Sequence, residues 1–108
     1  MADTHPLDRL FATIASRKNA GDVANSYTAK LIREGVEKCA KKFGEEAVET
    51  VLAAVSGDQQ RLAEESADAL YHLMVLWAVS DIGPLDVYAA LASREYRSGL
   101  AEKASRKI

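Results

Sequence analysis

Five carboxylates in two short clusters are the residues of this chain best placed to do chemistry. Glu45, Glu46 and Glu49 fall in Glu45-Glu46-Ala47-Val48-Glu49, and Glu65 and Asp68 in Glu65-Ser66-Ala67-Asp68. Both clusters interrupt helical, otherwise apolar sequence, where an ionised carboxylate is costly unless something positive neutralises it. Asp68 is the sharpest case, as the only acid between Ala67 and Val79. It stands either at the edge of a core or in a site. Oxygen ligands without a Cys/His cluster suit a hard divalent cation, Mg²⁺ or Mn²⁺, rather than Zn²⁺.

The elements that carry these residues must present them together. At ~100° per residue, positions 45, 49 and 46 of a helix fall within an arc of ~100° and share one face. Phe43, Ala47 and Val51 occupy the adjoining apolar side, extended by Val36, Ala40 and Val55. Lys38 and Lys42 lie on the stripe of Glu45 and Glu49, so ammonium groups precede carboxylates along one line. Such cations can hold phosphate oxygens beside a bound metal. Glu65, Asp68 and His72, spaced i, i+3, i+7, line one face of the following helix. The turn at Ser56-Gly57-Asp58 makes the two helices antiparallel neighbours. Glu49 and Glu65 then stand ~10–12 Å from the turn, at ~1.5 Å rise per residue, and so at one height. The plainer reading is a solvated helix surface with Lys41–Glu45 and Lys42–Glu46 as i, i+4 pairs. His72 reads either as a partner of Asp68 or as a core-edge histidine. Cys39, Tyr71, Met74 and Trp77 read as packing residues.

Length and composition bound the rest. The 108 residues make one domain. They are 48% hydrophobic but only 6% aromatic, and Ala and Leu are abundant, which favours helices. A net charge of −2 lends no support to nucleic-acid or membrane-surface binding. The single Cys39 fits a reducing compartment. The N-terminus lacks a signal-peptide pattern, and the longest apolar stretch is too short to span a bilayer. A soluble, cytoplasmic protein is expected. Helices are predicted after Thr4-His5-Pro6, over Tyr27–Glu34 behind a Ser26 N-cap, from about Val36 to Val55, behind an Asp58 cap to about Val79, and from near Leu85. The polar tail adds no element. The predicted fold is all-α, an antiparallel bundle of four to five helices without strands, with a core over 7–96 and a tail over 97–108.

The acidic pattern is embedded in longer recognisable segments. Ser26-Tyr27-Thr28-Ala29-Lys30-Leu31, Lys41-Lys42-Phe43-Gly44-Glu45-Glu46-Ala47 and Ala67-Asp68-Ala69-Leu70-Tyr71-His72-Leu73 occur in this order. The chain thereby resembles the phosphoribosyl-ATP pyrophosphatase family, within the all-α MazG-type nucleotide pyrophosphohydrolases. Their E-E-x-x-E and E-x-x-D signatures match Glu45, Glu46, Glu49, Glu65 and Asp68. The resemblance covers about residues 7–96. It implies Mg²⁺-dependent hydrolysis of phosphoribosyl-ATP to phosphoribosyl-AMP and pyrophosphate, in histidine biosynthesis, by a monofunctional enzyme. Glu46, Glu49, Glu65 and Asp68 would hold the metal, with Glu45 a further ligand or the base that orients water. Lys38, Lys42 and Lys30 would bind phosphate, and the helix start at Ser26 and Thr28 offers N–H groups to an anion or is an ordinary cap. The resemblance also implies a homodimer with composite sites. A house-cleaning pyrophosphohydrolase of other nucleoside triphosphates would use the same carboxylates; a non-enzymatic helical interaction protein would need neither metal nor Asp68.

Overall fold

The computed structural model describes residues 5–95. They form five α-helices: α1 (Pro6–Ala20), α2 (Tyr27–Glu34), α3 (Val36–Ser56), α4 (Gln59–Val79) and α5 (Pro84–Ala92). There is no strand among the described residues, so the all-α expectation holds. The expected tail over 97–108 lies outside them.

The helix boundaries follow local chemistry. Ser26 Oγ accepts from the Ala29 N–H at 3.0 Å and starts α2, while Asp58 Oδ1 accepts from the Arg61 N–H at 3.0 Å and starts α4. Gly35, at φ 101°, lets α2 turn into α3 with no other residue between them. Gly57, at φ 82°, ends α3 in the left-handed conformation that side chains other than glycine resist. α1 runs past Arg17 and Lys18 to Ala20. Its end is fastened across the fold: Lys18 Nζ donates to the Ala78 carbonyl at 2.7 Å and to Asp81 Oδ1 at 2.8 Å.

The α3–α4 hairpin forms the main axis, and α1 and α2 pack on one side of it. Ile14, Leu31, Cys39, Met74, Val75 and Ala78 form the buried core, with Phe11, Tyr71 and Trp77 against it. Cys39 is accordingly a packing residue, its thiol donating to the Leu31 carbonyl. Trp77 meets Phe11 with ring centroids 6.4 Å apart, which places it in packing rather than in base stacking.

The apolar side of α3 differs from a simple core face. Val51 is 59% exposed and Val55 81%, with Val36, Val48 and Leu52 also open. The buried face of α3 is instead carried by Cys39 and Ala53. None of α5 is buried either; Tyr88 ties it to α1 by donating to Asp8 Oδ1 at 2.9 Å.

Candidate active site

Because the connection between α3 and α4 is so short, their acidic turns face each other at the same height. One carboxylate oxygen from each of Glu46, Glu49 and Glu65 lies within 4.8 Å of the others. Thr50 pins the two helices at this level. Its hydroxyl lies 2.8 Å from the Glu46 carbonyl on its own helix and 3.1 Å from the Glu65 carbonyl on the other. Thr50 was not singled out from sequence, although its position one turn after Glu46 and beside Glu49 places it on the shared face.

The trio is electrostatically unsatisfied. Burial pushes the Glu65 carboxyl above its usual range, and the charges of Glu49, Asp68 and Glu46 push it further. The close approach of the Glu49 carboxylate also favours its protonated form. Burial likewise raises Glu46, followed by the charges of Glu49 and Asp68, with Lys42 opposing. Glu65 Oε1 is enclosed and has no hydrogen-bond partner, while its other oxygen has only a long 4.0 Å approach from Arg61. A buried acceptor left unpaired costs roughly 1–3 kcal/mol, more when charged. Three converging carboxylates with one orphaned oxygen fit a hard cation, which would supply the missing partner.

The other sequence-predicted residues take distinct places. Asp68 is exposed and stands outside the 4.8 Å trio, but its charge reaches both Glu46 and Glu65. Glu45 turns toward Lys42, whose Nζ lies 3.3 Å from its carboxylate. This i, i+3 pair replaces the expected Lys42–Glu46 pair. The hydrogen bond to Glu45 holds the Lys42 ammonium protonated above its ordinary range, with the Tyr27 hydroxyl adding to it. Lys30 and Lys38 are exposed and make no ion pair among the described residues. The Ser26 and Thr28 side chains are buried and used internally, Ser26 as the α2 cap and Thr28 in a 2.5 Å hydrogen bond with the Tyr71 hydroxyl.

An aromatic group closes the site on the α2 side. The His72 ring meets Tyr71 edge-on at 4.9 Å and Tyr27 edge-on at 6.2 Å. His72 is buried, as the core-edge reading requires, and it lies in the fields of Lys42, Asp68 and Glu45. The site thus joins an acidic trio, one ammonium and an aromatic group on α2 and α4.

Comparison with known proteins gives this geometry a lineage. Residues 7–95 match the model of the family described as phosphoribosyl-ATP pyrophosphohydrolase. A protein of Parvibaculum lavamentivorans named phosphoribosyl-ATP pyrophosphatase is 62% identical over 105 residues, covering 97% of this chain and 95% of that protein. Proteins of the same name from Azospirillum brasilense and Paracoccus denitrificans are 58% and 55% identical; the alignments cover 94% and 99% of this chain and 90% and 100% of theirs.

Proposed function

Since the chain belongs to the phosphoribosyl-ATP pyrophosphohydrolase family, a family of hydrolases, we propose that it hydrolyses phosphoribosyl-ATP to phosphoribosyl-AMP and pyrophosphate with Mg²⁺ as cofactor. The observation that carries this reading is the meeting of Glu46, Glu49 and Glu65 around an unpartnered oxygen, one helical turn from the Lys42 ammonium. These three residues would hold the cation, with Asp68 as a further ligand. Bound there, Mg²⁺ (or Mn²⁺) supplies neutralisation of the triphosphate and acidifies water. The chain's own groups do the rest. Lys42 binds a phosphate oxygen once released from Glu45, which leaves the Glu45 carboxylate free to orient water or to join the ligands. Lys30 and Lys38 extend the positive side toward the phosphates, and the α2 start supports anion binding through the backbone N–H groups of Tyr27 and Thr28, those of Ser26 and Ala29 being used by the Asp22 carbonyl and the Ser26 hydroxyl. The histidine-biosynthetic role goes with this substrate.

A homodimer belongs to the same reading. Val48, Val51, Leu52 and Val55 are spaced i, i+3, i+4, i+7 on α3 and form an exposed apolar stripe, the pattern of a helix that packs on another. No single helix among the described residues is long and apolar enough to cross a membrane, and the free thiol of Cys39 suits a cytoplasmic setting.

The deciding experiment is pyrophosphate release from phosphoribosyl-ATP with and without Mg²⁺, against ATP and deoxynucleoside triphosphates as controls. Release that is independent of the cation, or that favours the controls, rejects the proposal. Lys42→Ala is expected to raise KM about tenfold or more, because a hydrogen bond to a charged group is worth ~1.5–3 kcal/mol; unchanged kinetics would return Lys42 to the solvated surface. Val51→Glu is expected to convert the dimer to monomer in sedimentation equilibrium, since a charge would enter an apolar helix seam. Retention of the wild-type mass would move the interface elsewhere.

A further inference from the structure

We propose that His72 is a substrate-positioning residue whose Nε2–H donates a hydrogen bond to a phosphoryl oxygen of the nucleotide, next to the Lys42 ammonium. The inference rests on the proposed hydrolysis of phosphoribosyl-ATP and assigns a residue to it beyond the carboxylates and lysines. Three observations carry it. His72 is only 7% exposed, and its Nδ1 is enclosed without a hydrogen-bond partner. Its remaining exposure therefore lies away from Nδ1. Its plane is held by the edge-on contacts with Tyr71 at 4.9 Å and Tyr27 at 6.2 Å, and Tyr71 is itself held by Thr28. Finally, His72 follows Asp68 by one helical turn on α4, and the charges of Lys42 and Glu45 also act on it.

The enclosed nitrogen favours one tautomer, since an unpaired buried N–H is rarer than an unpaired acceptor. A proton on Nδ1 would be a buried N–H without an acceptor, an arrangement that folded proteins rarely tolerate. This favours the proton on Nε2, with the Nδ1 lone pair facing inward. Burial, and next to it the Lys42 charge, also hold the imidazole below its ordinary pKa despite Asp68 and Glu45, which favours the neutral ring. A neutral donor in a fixed orientation adds directional positioning to the charge of Lys42 without competing with the cation for the carboxylates.

A series at position 72 tests this, because the two amides place a donor differently. The Gln side-chain nitrogen reaches the place of Nε2, whereas the Asn nitrogen reaches only that of Nδ1, and Phe keeps the ring without any donor. With phosphoribosyl-ATP and saturating Mg²⁺, His72→Phe and His72→Asn are expected to lose about ten- to a hundredfold in kcat/KM, while His72→Gln stays within about threefold of wild type. The Mg²⁺ concentration that gives half the thermal shift, measured without nucleotide, is expected to be unchanged in all three. Wild-type kcat/KM in His72→Phe would overturn the proposal, as would rescue by Asn but not Gln. A weakened Mg²⁺ response would assign the ring to holding Asp68 instead. Equal losses in all three variants with lowered melting temperatures would reduce His72 to packing. Each of these outcomes presupposes a wild-type protein that releases pyrophosphate; if it does not, the proposed substrate has failed, and the His72 assignment fails with it.

Discussion

Glu65→Gln is expected to reduce pyrophosphate release from phosphoribosyl-ATP by well over a hundredfold while leaving the helical fold intact. The loss should exceed the about ten- to hundredfold typical of a partner that only orients a metal ligand. The reason lies in the position of the side chain. Glu65 is the member of the trio contributed by α4, its Oε1 is enclosed without a partner, and Glu46 and Glu49 both press on it electrostatically. Replacing it with the isosteric amide removes one negative charge and relieves repulsion in the cation-free protein. Circular dichroism of Glu65→Gln should therefore match wild type, and its melting temperature without Mg²⁺ should be equal or higher. Asp68→Asn is expected to follow the same direction, because its charge reaches the same oxygens from the open side. Near-normal turnover of Asp68→Asn at limiting Mg²⁺ would confine the ligand set to Glu46, Glu49 and Glu65. Near-normal turnover of Glu65→Gln would dismiss the site altogether.

The second large effect is on stability. Mg²⁺ is expected to raise the melting temperature, since only the folded chain brings the three carboxylates together; at a hundred times Kd the gain is about 2.7 kcal/mol. Its pH dependence follows from the direction of the Glu46 and Glu65 shifts. Both are raised in the folded protein, mainly by burial and then by neighbouring carboxylates. Between the ordinary Glu pKa and the raised one, the folded state binds more protons than the unfolded state. Cation-free stability therefore falls as pH rises through that window and is restored as pH drops toward the ordinary Glu value. The cation needs the deprotonated form, so its contribution runs the other way and shrinks as pH falls through the raised values. Differential scanning fluorimetry between pH 4 and 8, with and without Mg²⁺, should show the two curves converging at low pH. The double variant Glu49→Gln/Asp68→Asn should lose the Mg²⁺-dependent rise. A rise that persists undiminished in it would place the cation away from these helices.

Much of the site was legible because its grammar is local. Ser26 and Asp58 cap helices by contacts within three residues, and Gly57 ends α3 by its own backbone angle. Hence the α3–α4 hairpin, and the equal heights of Glu49 and Glu65, could be counted along the chain before any packing was known. The partner of Lys42 was less accessible. Both Glu45 and Glu46 are within reach at i+3 and i+4, and the choice of Glu45 follows from Glu46 turning toward the α4 carboxylates.

The sequence by itself determined the helices, their order and the two acidic turns, because capping, periodicity and a short turn act over a few residues. Tertiary structure alone decided what those turns become. Thr50 reaches a carbonyl on the opposite helix, and Glu65 loses water from one oxygen without gaining a partner. His72 is enclosed between two tyrosines, one from α2 and one from α4. It also decided that the valines of α3 stay open, since α1 and α2 cover the other side of the hairpin. Burial and the spacing of charges across elements depend on where distant segments pack, and no local pattern encodes that.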